Sequence, residues 1–327
     1  MALGKAGRLF LAGTLVIVGL LLDSFQLPEA SAAPAWQIPD IDALPDTGPG
    51  RQIQAGSDLV SKTYALIGPR VADPAKRFAG NDLACKSCHL DDGTRRFGLP
   101  LWGLTQVYPQ YDPRSGRIIT LAERVNLCMT RSMNGRPLPD DAPEMQALLA
   151  YLGFLSSGLQ AGQVLDGYGA GDLAELARAA DPQRGLAVYA DQCLRCHGAD
   201  GEGIRRNFSP GDLGYVAPPL WGPDAFNAGA GMKRLGIVAR FTHNNMPNGV
   251  TYEVPRLSPD DSWDVAAYIV SRRHPPLADL DKDYPNRLEK PVDTPYGPYA
   301  DGFPAEQHVY GPFGPIRAAL EKRKAGR

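Results

Sequence analysis

Two pentapeptides constrain this chain more than anything else in it: Cys85-Lys86-Ser87-Cys88-His89 and Cys193-Leu194-Arg195-Cys196-His197. In each, two cysteines three positions apart can add their thiols across the two vinyl groups of one haem, and the histidine that follows is set beneath the iron. A chain with such a motif has to fold around a flat apolar group tethered to its own backbone. Zinc is the other metal that a Cys-x-x-Cys turn suggests, but it wants four protein ligands and each copy offers only Cys, Cys and His nearby. The motifs therefore predict two covalently bound haems c. Cys85, Cys88, Cys193 and Cys196 are the attachment points, and His89 and His197 the proximal ligands.

The pentapeptides sit inside a longer repeat. Apolar residues at helical spacing between Ile53 and Ile67 precede the first copy, and Leu186, Val188 and Tyr189 precede the second. Pro100-Leu101-Trp102-Gly103 follows the first and Pro219-Leu220-Trp221-Gly222 the second. Each half then closes with an apolar helical run, from Pro143 to Leu155 and from Ser262 to Val270. Repeated order of this kind is an internal duplication. The expected fold is mainly α, two tandem cytochrome c-like domains with an irregular C-terminal extension. The 327 residues suit that plan: domain 1 over 51–157, a Gly/Ala-rich linker over 158–180, domain 2 over 181–275 and a Pro/Gly/Tyr-rich extension over 276–327 that wraps the surface. Ahead of them, Lys5 and Arg8 precede an apolar run and Ala30-Ser31-Ala32 follows it, which reads as a signal peptide over 1–32. An irregular arm over 33–50 comes next. Export to the periplasm agrees with haem attachment, and no run in the mature chain is long enough for a membrane span. The net charge of -2 gives no sign of a nucleic-acid partner.

The duplication also serves as a ruler for the far side of each iron. Met246 lies 25 residues after Trp221, an ordinary thioether ligand, with His243 as its competitor. Cys128 lies 26 residues after Trp102, and Met129 27. Helix neighbours point about 100° apart, so only one of the two can face the iron. Spacing puts Cys128 slightly ahead of Met129, with Met133 further off. His274 and His308 read as surface residues without a role.

The stretch Asn126-Leu127-Cys128-Met129-Thr130-Arg131-Ser132, with Ala79 to Ala84 before the first haem motif, Pro219 to Asp224, and Pro295 to Phe303 near the end, resembles the dihaem thiosulfate dehydrogenases. The likeness runs from about Gln52 to Pro315. It implies His89 and Cys128 on the first iron, His197 and Met246 on the second, and the oxidative joining of two thiosulfates into tetrathionate. It also implies electron exit to a soluble cytochrome or similar acceptor. Relatives that exchange a lysine for the methionine carry it where Asn245 stands here, so that exchange is not expected.

On this reading a thiolate lowers the potential of the first haem and a thioether raises that of the second. Arg95, Arg96, Arg114, Arg117, Arg124 and Arg131 share a half with Cys128, and Arg forks match oxyanions in pairs. Arg114 and Arg131, with Ser132, are the expected holders of the sulfonate groups, and Cys128 either leaves the iron or carries thiosulfate as an S-sulfonate. The main alternative is a non-catalytic dihaem electron-transfer cytochrome c in which Met129 ligates the first iron and Cys128 is packing. A dihaem peroxidase and the haem-thiolate sulfur-oxidation cytochromes are further rivals.

Overall fold

The computed structural model describes residues 36–159, 166–206 and 214–326. The expected signal peptide, the first residues of the arm and part of the expected linker lie outside them. The helices start where local chemistry satisfies their first N–H groups. In α1, Gly48–Ser61, the Thr47 hydroxyl accepts from the Gly50 N–H at 3.2 Å and Pro49 occupies the first turn. The helix thus begins inside the stretch read as an irregular arm. Two three-residue strands, β1 (Gln110–Asp112) and β2 (Arg117–Ile119), then pair antiparallel with Tyr111 opposite Ile118. A Thr-x-x-Glu box opens α2, Leu121–Arg131: the Thr120 hydroxyl accepts from the Glu123 N–H at 3.2 Å, and Glu123 Oε2 accepts from the Thr120 N–H at 2.7 Å. Pro143 opens α3, Pro143–Leu155.

The second half repeats these devices. Asp181 caps α4, Pro182–Gln192, accepting from the Gln183 N–H at 2.7 Å. A short ladder, β3 (Ile204–Arg205) with β4 (Tyr215–Ala217), precedes α5, Leu235–Asn245. Ser258, with Asp260 and Asp261 in the first turn, starts α6, Pro259–Ser271. In the extension, α7 (Ala305–Tyr310) and α8 (Gly314–Ala325) follow two single turns.

Both halves are built on one helix crossing. A Cβ on Gly56 of α1 would lie 2.1 Å from the Ala147 carbonyl oxygen and 2.7 Å from Tyr151 Cβ on α3. A Cβ on Gly185 of α4 would lie 1.9 Å from the Asp264 carbonyl oxygen and 2.9 Å from Tyr268 Cβ on α6. Only glycine admits such an approach, so the repeat in the sequence is a repeat in packing. Each crossing lies beside its own core. Leu59, Val60, Trp102, Met145 and Leu152 belong to the first, and Tyr189, Trp221, Leu235, Trp263 and Ala266 to the second. These are two cytochrome c domains in tandem.

Polar contacts join the halves. Asn227 donates through its N–H to the Arg131 carbonyl at 3.1 Å and through Nδ2 to the Thr130 carbonyl at 2.9 Å. Asn134 and Asn245 reach across to the Ala225 and Phe97 carbonyls at 2.7 and 3.0 Å. The extension does more than wrap the surface, because Phe313, Ile316 and Leu320 complete the second core. Nor are its histidine and the one before it surface residues. His308 is buried, stacked on Tyr299 at 3.6 Å and 3.1 Å from Asp301, and His274 packs on Phe226 at 4.6 Å. Their partners come from stretches without periodicity, which is why local pattern misses them. No helix among the described residues is long and apolar enough to cross a membrane.

Candidate functional site

The first haem motif winds as one tight turn, with the His89 N–H on the Cys85 carbonyl at 2.9 Å. That turn throws Cys85, Cys88 and His89 into one cleft. The His89 ring donates from Nδ1 to the Leu99 carbonyl at 2.5 Å, which leaves Nε2 as its free nitrogen. Leu99 is itself fixed, since its N–H donates to the Gly169 carbonyl at 3.0 Å, so the middle of the linker helps to aim the ring. Phe97 and Leu99 both hold left-handed φ values, 56° and 55°, a conformation that side-chain-bearing residues keep only under surrounding constraint.

Across the cleft stands α2. Cys128 faces His89 within hydrogen-bonding reach, and Val125, Met129, Ser132 and Met133 line the same space. Leu59, Val60 and Ile67 from the α1 side, Leu101, and Leu148 and Leu152 of α3 close it with apolar walls. The space not filled by atoms comes to about 740 Å³, counting its open mouth. Of the competitors on the ruler, it is Cys128 whose side chain meets the histidine; Met129 and Met133 are buried core that also touches the cleft.

Three thiols share this cleft and differ in charge. As free thiols, Cys85 is pushed by burial up to about 11 and Cys88 to about 12; as thioethers to a haem neither would carry a proton to lose. Burial opposes ionisation of Cys128 too, but the Arg124 guanidinium and the His89 ring outweigh it and hold the thiol down at about 6. Arg124 donates from Nη1 to Cys128 Sγ at 2.9 Å. The two residues are one helical turn apart on α2, and that spacing of four was the available signal for a role that treating the arginines as a group overlooks.

The other arginines have carboxylate partners. Arg114 and Arg131 both donate to Asp283 of the extension, at 3.0 Å and in a bidentate pair at 2.9 and 2.8 Å, and both reach the Gly229 carbonyl. Arg95 pairs with Asp91, Arg96 with Asp166 and Arg117 with Glu123. The expected sulfonate holders are thus already engaged, while Ser132 lines the cleft beside Cys128.

The second motif repeats the local geometry. His197 donates from Nδ1 to the Pro218 carbonyl at 2.8 Å, and Pro218 stands in the same place before Pro-Leu-Trp-Gly as Leu99 does. Cys193 is half-buried, whereas Cys196 is exposed. Met246 follows the last turn of α5, half-buried, its N–H on the Thr242 carbonyl at 2.9 Å. His243, the competitor of Met246, lies in that last turn, and Asn245 is buried against Phe97.

The donor set fits haem c. Each half offers two cysteines and an imidazole whose second nitrogen is bonded away, and the first adds apolar walls and a distal thiolate. Trp102 adds a buried Nε1 donor without a partner in the protein, in the residue next to Leu101 of the cleft. Residues 75–161 match the SoxA/TsdA cytochrome c domain family and residues 182–273 the cytochrome c family. The chain is 38% identical over 268 residues to the thiosulfate dehydrogenase of Allochromatium vinosum, covering 81% of this chain and 92% of that protein. Against the thiosulfate dehydrogenase of Stutzerimonas stutzeri it is 37% identical over 240 residues, 73% of each chain. Among solved structures it is similar to thiosulfate dehydrogenase (TsdBA) from Marichromatium purpuratum, with a TM-score of 0.66 and 35% identity. That match covers 74% of this chain and 50% of the other, so the chain spans about half the length of that protein.

Proposed function

The chain belongs to the thiosulfate dehydrogenase family, and from that membership we propose that it joins two thiosulfates into tetrathionate in the periplasm and hands the two electrons to a soluble cytochrome or similar acceptor. Two haems c would be held, the first by Cys85, Cys88, His89 and Cys128 and the second by Cys193, Cys196, His197 and Met246, and the pair would supply two one-electron acceptors. The observation that carries the reading is the Arg124 guanidinium, 2.9 Å from the sulfur of Cys128 in the cleft that also holds His89. A plain electron carrier has no need of a cysteine held as thiolate by a buried cation.

Thiosulfate is a dianion with a nucleophilic outer sulfur. Cys128 and that sulfur form a disulfide bond with loss of two electrons, which the two haems would accept, leaving a Cys–S–S–SO3⁻ thiosulfonate on the protein. A second thiosulfate attacks the sulfane sulfur of the adduct, tetrathionate leaves, and Cys128 returns as the thiolate that Arg124 stabilises. Ser132 offers a hydroxyl to the sulfonate oxygens at the cleft wall. Arg114 and Arg131, which share the one carboxylate of Asp283, act as positioning residues for α2 rather than as sulfonate contacts.

Purified protein, thiosulfate and ferricyanide are expected to yield tetrathionate, and Cys128→Gly to abolish it with both haems still attached. A fully active Cys128→Gly protein would end the proposal.

A further inference from the structure

A second cavity, of about 370 Å³, lies between α5, α6 and the extension and shares no lining residue with the cleft at Cys128. Gly236 of α5 keeps its floor open. A Cβ there would lie 3.0 Å from Asp293 Oδ2 and 3.6 Å from both Arg240 Nη1 and the Trp263 ring. Arg240 therefore runs back along its own helix, by four residues, to reach that floor.

The charges that line the cavity do not cancel among themselves. Arg234 donates to Asp293 from Nε at 2.8 Å, and Arg317 pairs with Glu175. Glu289 is taken up by the Tyr111 hydroxyl at 2.7 Å and the Asn286 amide at 2.8 Å. Glu321 and Lys324, both exposed on α8, are of opposite sign. Two cations are left over. Arg240 has no hydrogen bond or ion pair with any of the described residues. Lys290 is 5% exposed and has no carboxylate partner among them either. Its ammonium donates to the Pro298 carbonyl at 3.1 Å and lies over Tyr296 and Tyr299, 4.8 and 5.1 Å from the ring centres. A lysine this deep ordinarily has an anion beside it. Here burial, with Arg287 nearby, pulls its pKa down to about 8, the behaviour of an ammonium short of negative charge.

We infer that this cavity binds an elongated sulfur oxyanion with charge at both ends, tetrathionate, with Arg240 at one sulfonate and Lys290 at the other. Arginine forks match such oxygens in pairs. The two cations come from different elements, α5 and the extension, so a ligand charged at both ends can meet both. The uncharged sulfur chain between its ends meets Trp263, Leu288 and Leu320. The choice of tetrathionate rests on the dehydrogenase reading above, which makes it the product; the cavity is then a second place for that product, apart from the cleft where it forms.

The test is titration calorimetry of the haem-loaded protein with tetrathionate at neutral pH, where Lys290 is charged. A binding step is expected that Arg240→Gln and Lys290→Met each weaken by about tenfold or more, with Arg240→Lys recovering part of it. Sulfate, with its charge on one centre, binds at least about tenfold more weakly than tetrathionate. Turnover of thiosulfate with ferricyanide stays unchanged in Arg240→Gln, since the residue lies outside the cleft, and so does the thermal midpoint, since the side chain has no partner to lose. In crystals soaked with tetrathionate, anomalous sulfur scattering is expected in the cavity. An isotherm in Arg240→Gln equal to that of the unaltered protein overturns the inference, and so does sulfur scattering confined to the cleft at Cys128. Sulfate binding as tightly as tetrathionate overturns it too, because the cavity then recognises a compact anion. If thiosulfate and ferricyanide give no tetrathionate, the catalytic reading fails while the isotherms still decide the cavity.

Discussion

A buried thiolate survives only if some neighbour offsets the cost of removing its charge from water, and here that neighbour is Arg124. The hydrogen bond from Nη1 at 2.9 Å is charge-assisted, a kind worth about 1.5–3 kcal/mol. Arg124→Ala leaves burial to act against the charge without that guanidinium. We expect thiosulfate turnover to fall by about tenfold or more and the thiolate signature of the ferric haem to weaken in electron paramagnetic resonance, with Arg124→Lys recovering part of both. Unaltered g-values and turnover in Arg124→Ala would show that the arginine does not act on the sulfur. His274 gives a residue-scale prediction about stability. Burial, and Lys233 nearby, hold its pKa down at about 4, against an ordinary 6.5. Between those values the unfolded chain binds the proton and the folded one does not, so stability is complete above pH 6.5 and is lost as pH falls toward 4. Thermal midpoints measured across that window should fall less steeply in His274→Asn; parallel slopes would refute it.

At the scale of elements, the two helix crossings decide whether each half can close. Gly56→Ala puts a methyl 2.1 Å from a carbonyl oxygen of α3, and Gly185→Ala puts one 1.9 Å from a carbonyl oxygen of α6. Backbone on the facing helix cannot swing away as a side chain would, so each change should cost about 1–3 kcal/mol or more and lower the thermal midpoint seen by circular dichroism. An unchanged midpoint in either variant would mean that the helices part without loss. These crossings also mark what was legible beforehand. Helices with their own punctuation, such as Thr120 to Glu123 and Asp181-Pro182, can be read from sequence because the start signals are local, whereas the closing run read from Ser262 starts at Pro259. The β1–β2 hairpin cannot: its strands are three residues long, and Tyr111 and Ile118, paired across it, both face solvent, so no alternation marks it. At the site, the two cysteine pairs and their histidines are legible from spacing, and Cys128 almost so. Arginine partners are not legible, because Asp283 lies 152 residues from Arg131 in the chain.

For the whole molecule, that distant carboxylate is where first half, second half and extension meet. Asp283 takes Arg131 of α2, Arg114 of the loop after β1 and the Tyr296 hydroxyl, at 2.6 Å, while both guanidiniums also reach the Gly229 carbonyl in the second half. The three charged side chains are 16%, 16% and 10% exposed, so water replaces little of what is lost if one partner goes. Asp283→Asn keeps the shape and removes the charge, stranding two buried guanidiniums side by side. Breaking a buried pair in this way costs about 3–5 kcal/mol, which is a large part of the roughly 5–15 kcal/mol that holds a domain folded. We expect a thermal midpoint lower by on the order of 10 °C, with Asp283→Glu between the two. Since Arg131 follows Cys128 by three residues on α2, the same change should also disturb the cysteine's approach to His89, read as an altered electron paramagnetic resonance spectrum of the first haem. A variant with a lowered midpoint but an unchanged spectrum would make the clamp purely structural. A variant with neither effect would mean that the extension can let go of α2 without consequence.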